Sequence, residues 1–471
     1  MSHTPTTSAA PARRWALDPV MMMFAALAVA VALTWLIPSG EYRRAGGAEP
    51  ARVIPGTYQE LPKAVGVAAL LPSAPGEAAA HGARPVSPAA MFTAIPAGLV
   101  KSSGLIFMML LLGGMFGILR TSGALDAGIE RLLDLSGGRV AVITPVVMIA
   151  VSAGSTFLGL ISEYLLVIPI VMALADKMGC SRLYGFAMLT LAAKVGYLAS
   201  VTNPVALLIA QPIVGLPVFS GALFRFGFWL VMLALAIAVV LRLGRGARPQ
   251  LERRAASRLA RGHVAILAVL GLTVALLAGG SSMLAWRDLE FAALFIVAAV
   301  LMGAAAGMTP RQGAHAFVDG MKSMMLASLL VGMARGVELV LRDGRILDTI
   351  IAFASHHVDG LSPVVVAPLV MGFEMFLTLL IPSTSAKAAL SIPILAPIAH
   401  TVGVSGQTTV FAFLCGNGLV NMLAPTSGML LAYLATAGIS YAQWFRFVLP
   451  WFLVMTALSA AAVAFAVMTG Y

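Results

Sequence analysis

Residues 381–394 read Ile381-Pro382-Ser383-Thr384-Ser385-Ala386-Lys387-Ala388-Ala389-Leu390-Ser391-Ile392-Pro393-Ile394, a hydroxyl cluster, a lysine and two prolines inside an otherwise apolar stretch. In hydrocarbon an interrupted helix leaves backbone groups unpaired at several kcal/mol each, so irregular backbone is tolerated only where it lines a protein cavity. The interruption therefore points to function. It also recurs. Ile168-Pro169-Ile170 matches Ile392-Pro393-Ile394, and at the same register Ala175, Gly179 and Ser181 match Ala399, Gly403 and Ser405. One residue further apart, Phe186-Ala187 and Leu189 match Phe411-Ala412 and Leu414, and the polar break Ser200-Val201-Thr202-Asn203-Pro204 falls close to Ala424-Pro425-Thr426-Ser427-Gly428. Upstream, Gly114, Gly123 and Leu125-Asp126 resemble Gly332, Gly344 and Leu347-Asp348. An ordered series of helix, amphipathic connector, hairpin and broken helix thus occurs twice.

Around these breaks the chain is a bilayer protein. Of 471 residues 60% are apolar and 10% charged, where a soluble domain carries roughly 25% charged. About 20 apolar residues cross the hydrocarbon, which marks plain spans near 20–38, 103–119, 221–243, 263–280, 289–307, 322–341 and 446–469. The stretches 140–178, 183–214, 363–399 and 408–436 are too long or too interrupted for plain spans and read as hairpins and broken helices. The net charge of +11 gathers in short connectors with no basic stripe interleaved with aromatics, so it reports orientation and not nucleic-acid binding. Seven arginines between Arg242 and Arg261 face the single acid Glu252, placing that connector in the cytoplasm. With Arg13-Arg14 ahead of the first span, the N-terminus is also inside and Ser39 to Ser102 outside, as a loop leading to an amphipathic helix near Pro88 to Val100.

The expected fold is an all-α polytopic membrane protein of about nine transmembrane helices plus two re-entrant hairpins. Residues 1–102 hold the first span and extracytoplasmic segment. A first repeat, 103–241, contains a hairpin at 139–178 and a broken helix at 183–214. A basic loop, 242–262, and linking spans, 263–321, lead to a second repeat, 322–471, with its hairpin at 361–402 and broken helix at 406–437. An odd number of crossings separates the equivalent spans, so the repeats are inverted. Inverted repeats whose discontinuous helices meet near the midplane are the build of secondary transporters with alternating access. A channel would call for a wide polar pore or a filter motif; a membrane enzyme would call for H-E-x-x-H, G-x-S-x-G or facing aspartates, and none is present. Cys180 and Cys415 lack metal or redox spacing.

Four stretches, Trp35 to Tyr42, Gly123 to Ile129, Ile381 to Ser385 with Ala388-Ala389-Leu390, and Pro425 to Gly428, resemble the ion transporter superfamily, in its anaerobic C4-dicarboxylate carrier and YfcC-like branch. The resemblance implies a homodimer in the cell inner membrane, with a scaffold domain and an elevator-like transport domain. It implies a substrate site between hairpin tips and breaks, with Na+ or H+ as coupling ion and no cofactor. Carried over, that site is Ser383, Thr384 and Ser385 facing Thr426 and Ser427, with Asn417 and Asn421 before the break; the other half supplies Ser155, Thr156, Ser162, Glu163, Ser200, Thr202 and Asn203. Hydroxyls and amides can coordinate a cation or donate to a carboxylate without fixed charge.

The chain departs from that pattern at Lys194, Lys387 and Asn417, where the first two relatives' positions are expected uncharged and the third often acidic. Intramembrane ionisable groups are costly and by default functional. Lys387, which the repeat register sets opposite Glu163, stands either in place of a coupling cation, as counter-ion to a substrate carboxylate, or as a neutraliser of Glu374 or Glu163. Arg335 and Glu338 share a helix face as an i, i+3 pair. His356-His357 reads as a connector, not a ligand pair. The expected function is secondary transport of a small carboxylate-bearing solute, C4-dicarboxylate or amino acid, ion-coupled or by exchange, with export or antiport of another small solute as the alternative.

Overall fold

The structure, a computed structural model, describes residues 19–45, 52–70, 83–136, 139–245, 260–284, 286, 288–355 and 361–471. Most of the basic connector, the Arg13-Arg14 pair and His356-His357 lie outside them. The first half holds helices α1 (Pro19–Leu36), α2 (Ala90–Lys101), α3 (Ser103–Thr121), α4 (Ala124–Ser136), α5 (Val140–Leu158), α6 (Val167–Lys177), α7 (Arg182–Ala199), α8 (Pro204–Ile213) and α9 (Ala222–Leu243). Then come α10 (Arg261–Met283), α11 (Asp288–Ala305), α12 (Pro310–Ser323), α13 (Met325–Asp343), α14 (Leu347–Ser355), α15 (Pro363–Leu380), α16 (Thr384–Thr401), α17 (Gly406–Val420), α18 (Gly428–Ala437) and α19 (Tyr441–Met468). Among the described residues eight helices are long and apolar enough to cross a membrane, nine if α12 and α13 count as one span. The protein is a multi-pass membrane protein.

Two sequence expectations change. The span read at 322–341 begins at Pro310 and bends by 42° near Met324. A hydropathy ruler passes over α12 because it carries Arg311, His315, Asp319 and Lys322; its start is nonetheless firm, with Thr309 and Gln312 forming a reciprocal capping box ahead of Pro310. The stretch read as an all-loop outer segment contains two antiparallel ladders, Gly40–Glu41 with Gln59–Glu60 and Arg44–Ala45 with Arg52–Val53. The second touches α16, and the first touches α14.

The two-piece rods α2–α3 and α12–α13 lie side by side and antiparallel. Gly117 abuts Ala316, Gly113 abuts Gly320, Gly98 abuts Gly332, and Gly336 abuts Ala94. A Cβ on Gly117 would stand 2.0 Å from the Ala316 carbonyl oxygen, and one on Gly98 would stand 2.1 Å from that of Gly332. Small residues let membrane helices approach this closely, where packing replaces the missing hydrophobic drive.

α1 packs on α13, and α11 on α3 and α10; α5 to α9 and α15 to α19 form two clusters of like build. In one, α5 packs on α7 and α9; in the other, α15 packs on α17 and α19. Gly196 of α7 abuts the Ser152 carbonyl of α5 as Gly416 of α17 abuts that of Met371 in α15. The clusters are cross-linked: α7 meets α17, α6 meets α18, and α8 meets α16. α5 and α15 are each long enough to cross a membrane. α6, at 11 residues, reaches only about 16 Å at 1.5 Å per residue, half of a bilayer core of about 30 Å.

Candidate functional site

Each broken helix is stopped by local chemistry. α7 ends where Ser200 adopts φ 43°, the left-handed region, and α8 restarts under the Asn203 side chain, whose Oδ1 accepts from the Val205 amide at 2.9 Å with Pro204 in the first turn. α17 runs out at Asn421, and α18 restarts under Ser427, which caps Leu430.

The hydroxyls and amides of the first break are engaged with one another and with the last turn of α5. Thr156 Oγ1 accepts from the Val201 amide at 3.0 Å, and Thr202 donates to the Phe157 carbonyl at 3.2 Å. Asn203 donates to Ser200 Oγ at 3.1 Å, and Ser155 donates to the Ala193 carbonyl at 2.8 Å. Glu163 Oε2 accepts from the Ile161 amide at 2.8 Å and from Ser162 Oγ at 3.3 Å, and Tyr433 of α18 donates to the Ile161 carbonyl. Lys194 is buried in α7 with its ammonium 5.7 Å from the centre of the Tyr433 ring; among the described residues no carboxylate pairs with it.

The second hairpin and break meet in a neutral chain of polar groups. Tyr197 OH and Thr384 Oγ1 lie 2.5 Å apart; Asn417 Nδ2 donates to Thr384 at 3.0 Å. Asn421 Nδ2 donates to the Asn417 carbonyl at 2.8 Å, and Ser427 donates to Asn421 Oδ1 at 3.2 Å. Among the described residues the buried Thr426 Oγ1 has no hydrogen-bond partner. This chain borders two adjoining cavities of about 670 and 330 Å³ that share Lys101, Arg335, Glu338 and Ser383 in their walls. Ser385 lines the larger, and Asn421 and Ser427 the smaller.

Across from the hairpin stands a charged wall. Glu338, almost fully buried, pairs with Arg335 one turn back, and Arg342 Nη2 lies 3.6 Å from its other oxygen. Arg44 bonds Asp348 at 3.1 Å, and Arg345 bonds Glu41 at 3.1 Å. Burial pushes the Asp348 carboxyl above its ordinary range, against the pull of Arg44. The wall of the larger cavity thus carries five cations, Arg44, Lys101, Arg335, Arg342 and Arg345, against three acids, Glu41, Glu338 and Asp348. Asp288 joins at the smaller.

Lys387 lies elsewhere. Its side chain is fully buried between the arms of the second hairpin, with the ammonium 3.1 Å from Glu374 Oε2, 2.7 Å from Thr378 Oγ1 and 3.2 Å from the Glu374 carbonyl, over the Phe413 ring at 4.6 Å. Its partner is Glu374, not Glu163, and it lines neither cavity. Sequence reasoning missed Lys101, Tyr197, Tyr433 and Arg225. Arg225 was open to discovery: it lies in an apolar span, and its triplet Phe224-Arg225-Phe226 recurs as Phe445-Arg446-Phe447.

A multi-crossing chain whose second hairpin and second broken helix border a polar cavity, while the first break lines neither cavity, has the make-up of a membrane transporter. The chain belongs to the DcuC family, the C4-dicarboxylate anaerobic carriers, whose pattern matches residues 18–468. It is 27% identical to a protein of Escherichia coli (strain K12) provisionally named as the basic amino acid antiporter YfcC, over 93% of this chain and 94% of that one. It is 26% identical to an uncharacterised protein of Haemophilus influenzae, over 91% and 92%. Solved structures of the Alcanivorax borkumensis YdaH transporter and of Neisseria gonorrhoeae MtrF, described within a class of antimetabolite efflux pumps, each align at 16% identity and a TM-score of 0.43. They cover 96% of this chain and 99% and 95% of theirs.

Proposed function

We propose that this protein is a secondary transporter of a small carboxylate-bearing solute, and that it binds that solute between the second hairpin tip, the second break and the cationic wall of α13. The observation that carries this reading is the convergence of Ser383, Asn421 and Ser427 with Lys101 and Arg335 on one cavity. Neutral donors orient a carboxylate, and the surplus of cations attracts it. A cationic amino acid, the solute named for the Escherichia coli relative, would meet five cations on the larger cavity's wall, where the three acids are already paired: Glu338 with two arginines, Asp348 with Arg44 and Glu41 with Arg345. A dicarboxylate or a zwitterion fits the wall better.

Alternating access follows from exchanging two inverted halves. The antiparallel contact of α2–α3 with α12–α13 and the reciprocal packing of α6 on α18 and α8 on α16 support that inversion. In this reading α1–α3 and α10–α14 form a scaffold, and the hairpins, breaks, α9 and α19 form the moving transport domain. The cavity, walled by Gly40, Glu41 and Arg44, then opens outward, with the N-terminus in the cytoplasm. A homodimer in the inner membrane and coupling to Na+ or H+, or exchange, complete the proposal. Uptake of labelled succinate, aspartate and arginine into proteoliposomes tests it. Succinate or aspartate should enter, and Asn421→Ala should slow entry at least tenfold; entry of arginine alone would replace the substrate class.

A further inference from the structure

The helices that follow the two breaks treat them differently. Arg225, the fourth residue of α9 and fully buried, donates from Nε to the Ser200 carbonyl at 3.2 Å and from Nη2 to the Val201 carbonyl at 3.0 Å. Its Nη1 donates to the Tyr471 hydroxyl at 2.9 Å. At the second break the carbonyls that meet the following helix belong to Met422 and Leu423, just past the end of α17. They accept from Trp444 Nε1, the fourth residue of α19, at 2.9 Å and from the Tyr441 hydroxyl at 2.7 Å. The arginine of the recurring Phe-Arg-Phe triplet is buried in α9 and exposed in α19 as Arg446. One break is therefore closed by a permanent cation and the other by neutral donors.

The C-terminal end of a helix carries partial negative charge, and discontinuous membrane helices offer that end, with its unwound carbonyls, to cations. We propose that Arg225 is a tethered cation that permanently fills the cation position of the first break, a position the second break closes with neutral donors instead. Arginine suits this role because its guanidinium stays protonated and its fork of donors reaches two carbonyls and a hydroxyl at once. The two breaks also differ in what they present to the cavity. The polar pairs Asn421–Ser427 and Ser200–Asn203 are each internally bonded, but only the former lines a cavity, and among the described residues the neighbouring Thr426 Oγ1 is buried without a partner.

The inference rests on reading the chain as a broken-helix transporter, but its test needs no substrate and so fails separately from that reading. Thermal unfolding of the purified full chain is followed in choline chloride, with and without millimolar NaCl, KCl or methylguanidinium chloride. Arg225→Ala should unfold several degrees lower and recover part of that loss with methylguanidinium or an alkali cation, a gain the wild type lacks. Arg225→Lys, which keeps the charge, should stay near wild type, and Arg225→Gln, which keeps only a neutral donor, should behave like alanine. Should the alanine variant not fold, the Lys and Gln pair decides. A cation response in Arg225→Ala no larger than in wild type overturns the proposal. So does like behaviour of the lysine and glutamine variants, whether both are intact or both are lost.

Discussion

Lys387 and Glu374 illustrate how a charge inside the membrane is read differently once its partner is known. Both side chains are essentially unexposed and bonded within one hairpin, so the pair braces the two arms and lies outside both cavity walls. Removing one partner of a buried pair costs about 3 to 5 kcal/mol, whereas replacing both with apolar residues is often neutral. Lys387→Met should therefore lower the unfolding temperature markedly, and Lys387→Met with Glu374→Leu should restore it along with uptake. A double variant as unstable as the single one would show that the pair's ionic character is itself required. Lys101 and Arg335 face the cavity from the opposite wall. Alanine at either should raise the KM for a dicarboxylate about tenfold, equivalent to about 1.4 kcal/mol, with the unfolding temperature little changed for Lys101.

At the scale of elements, the antiparallel crossing of α3 and α12 holds because glycines remove the side chains that would separate them. Gly117→Leu would drive a Cβ into the Ala316 carbonyl, and we expect it to abolish stable expression, while Leu at Gly271, where nothing stands within 4 Å, should be silent. Equal expression of the two would remove the crossing from the account. The apolar spans and the broken helices were legible because length and interruption are one-dimensional signals: α7 stops at Ser200 and α18 starts at Ser427, within the polar clusters that announced them. α12 was not legible, since its charges hide it from a hydropathy ruler although its capping box is plain in Thr309-Pro310-Arg311-Gln312. The partner of Lys387 was legible only as a choice between Glu374 and Glu163, which the structure resolves to Glu374. Glu374 lies 13 residues away on the opposing arm, and which acid meets the lysine depends on how the two helices pack, which the repeat register does not set. Arg225 showed a signal that was passed over, a charge in an apolar span.

For the whole molecule, the account needs two halves of opposite orientation around one cavity. If they are inverted, Thr121 at the end of α3 and Arg342 near the end of α13 lie on opposite faces of the membrane. With Cys180 and Cys415 replaced, a membrane-impermeant maleimide should label Arg342→Cys in intact cells and Thr121→Cys only after permeabilisation; labelling of both from one side would contradict inversion. The central claim, that the chain is an alternating-access carrier of a carboxylate solute, meets its most direct test in counterflow. Proteoliposomes loaded with unlabelled succinate or aspartate and diluted into a trace of the same labelled solute should show transient accumulation of label above equilibrium, and Ser427→Ala should blunt it. Labelled solute that only equilibrates, with no overshoot for any dicarboxylate or amino acid, would contradict a carrier and leave a passive pore or another role in its place.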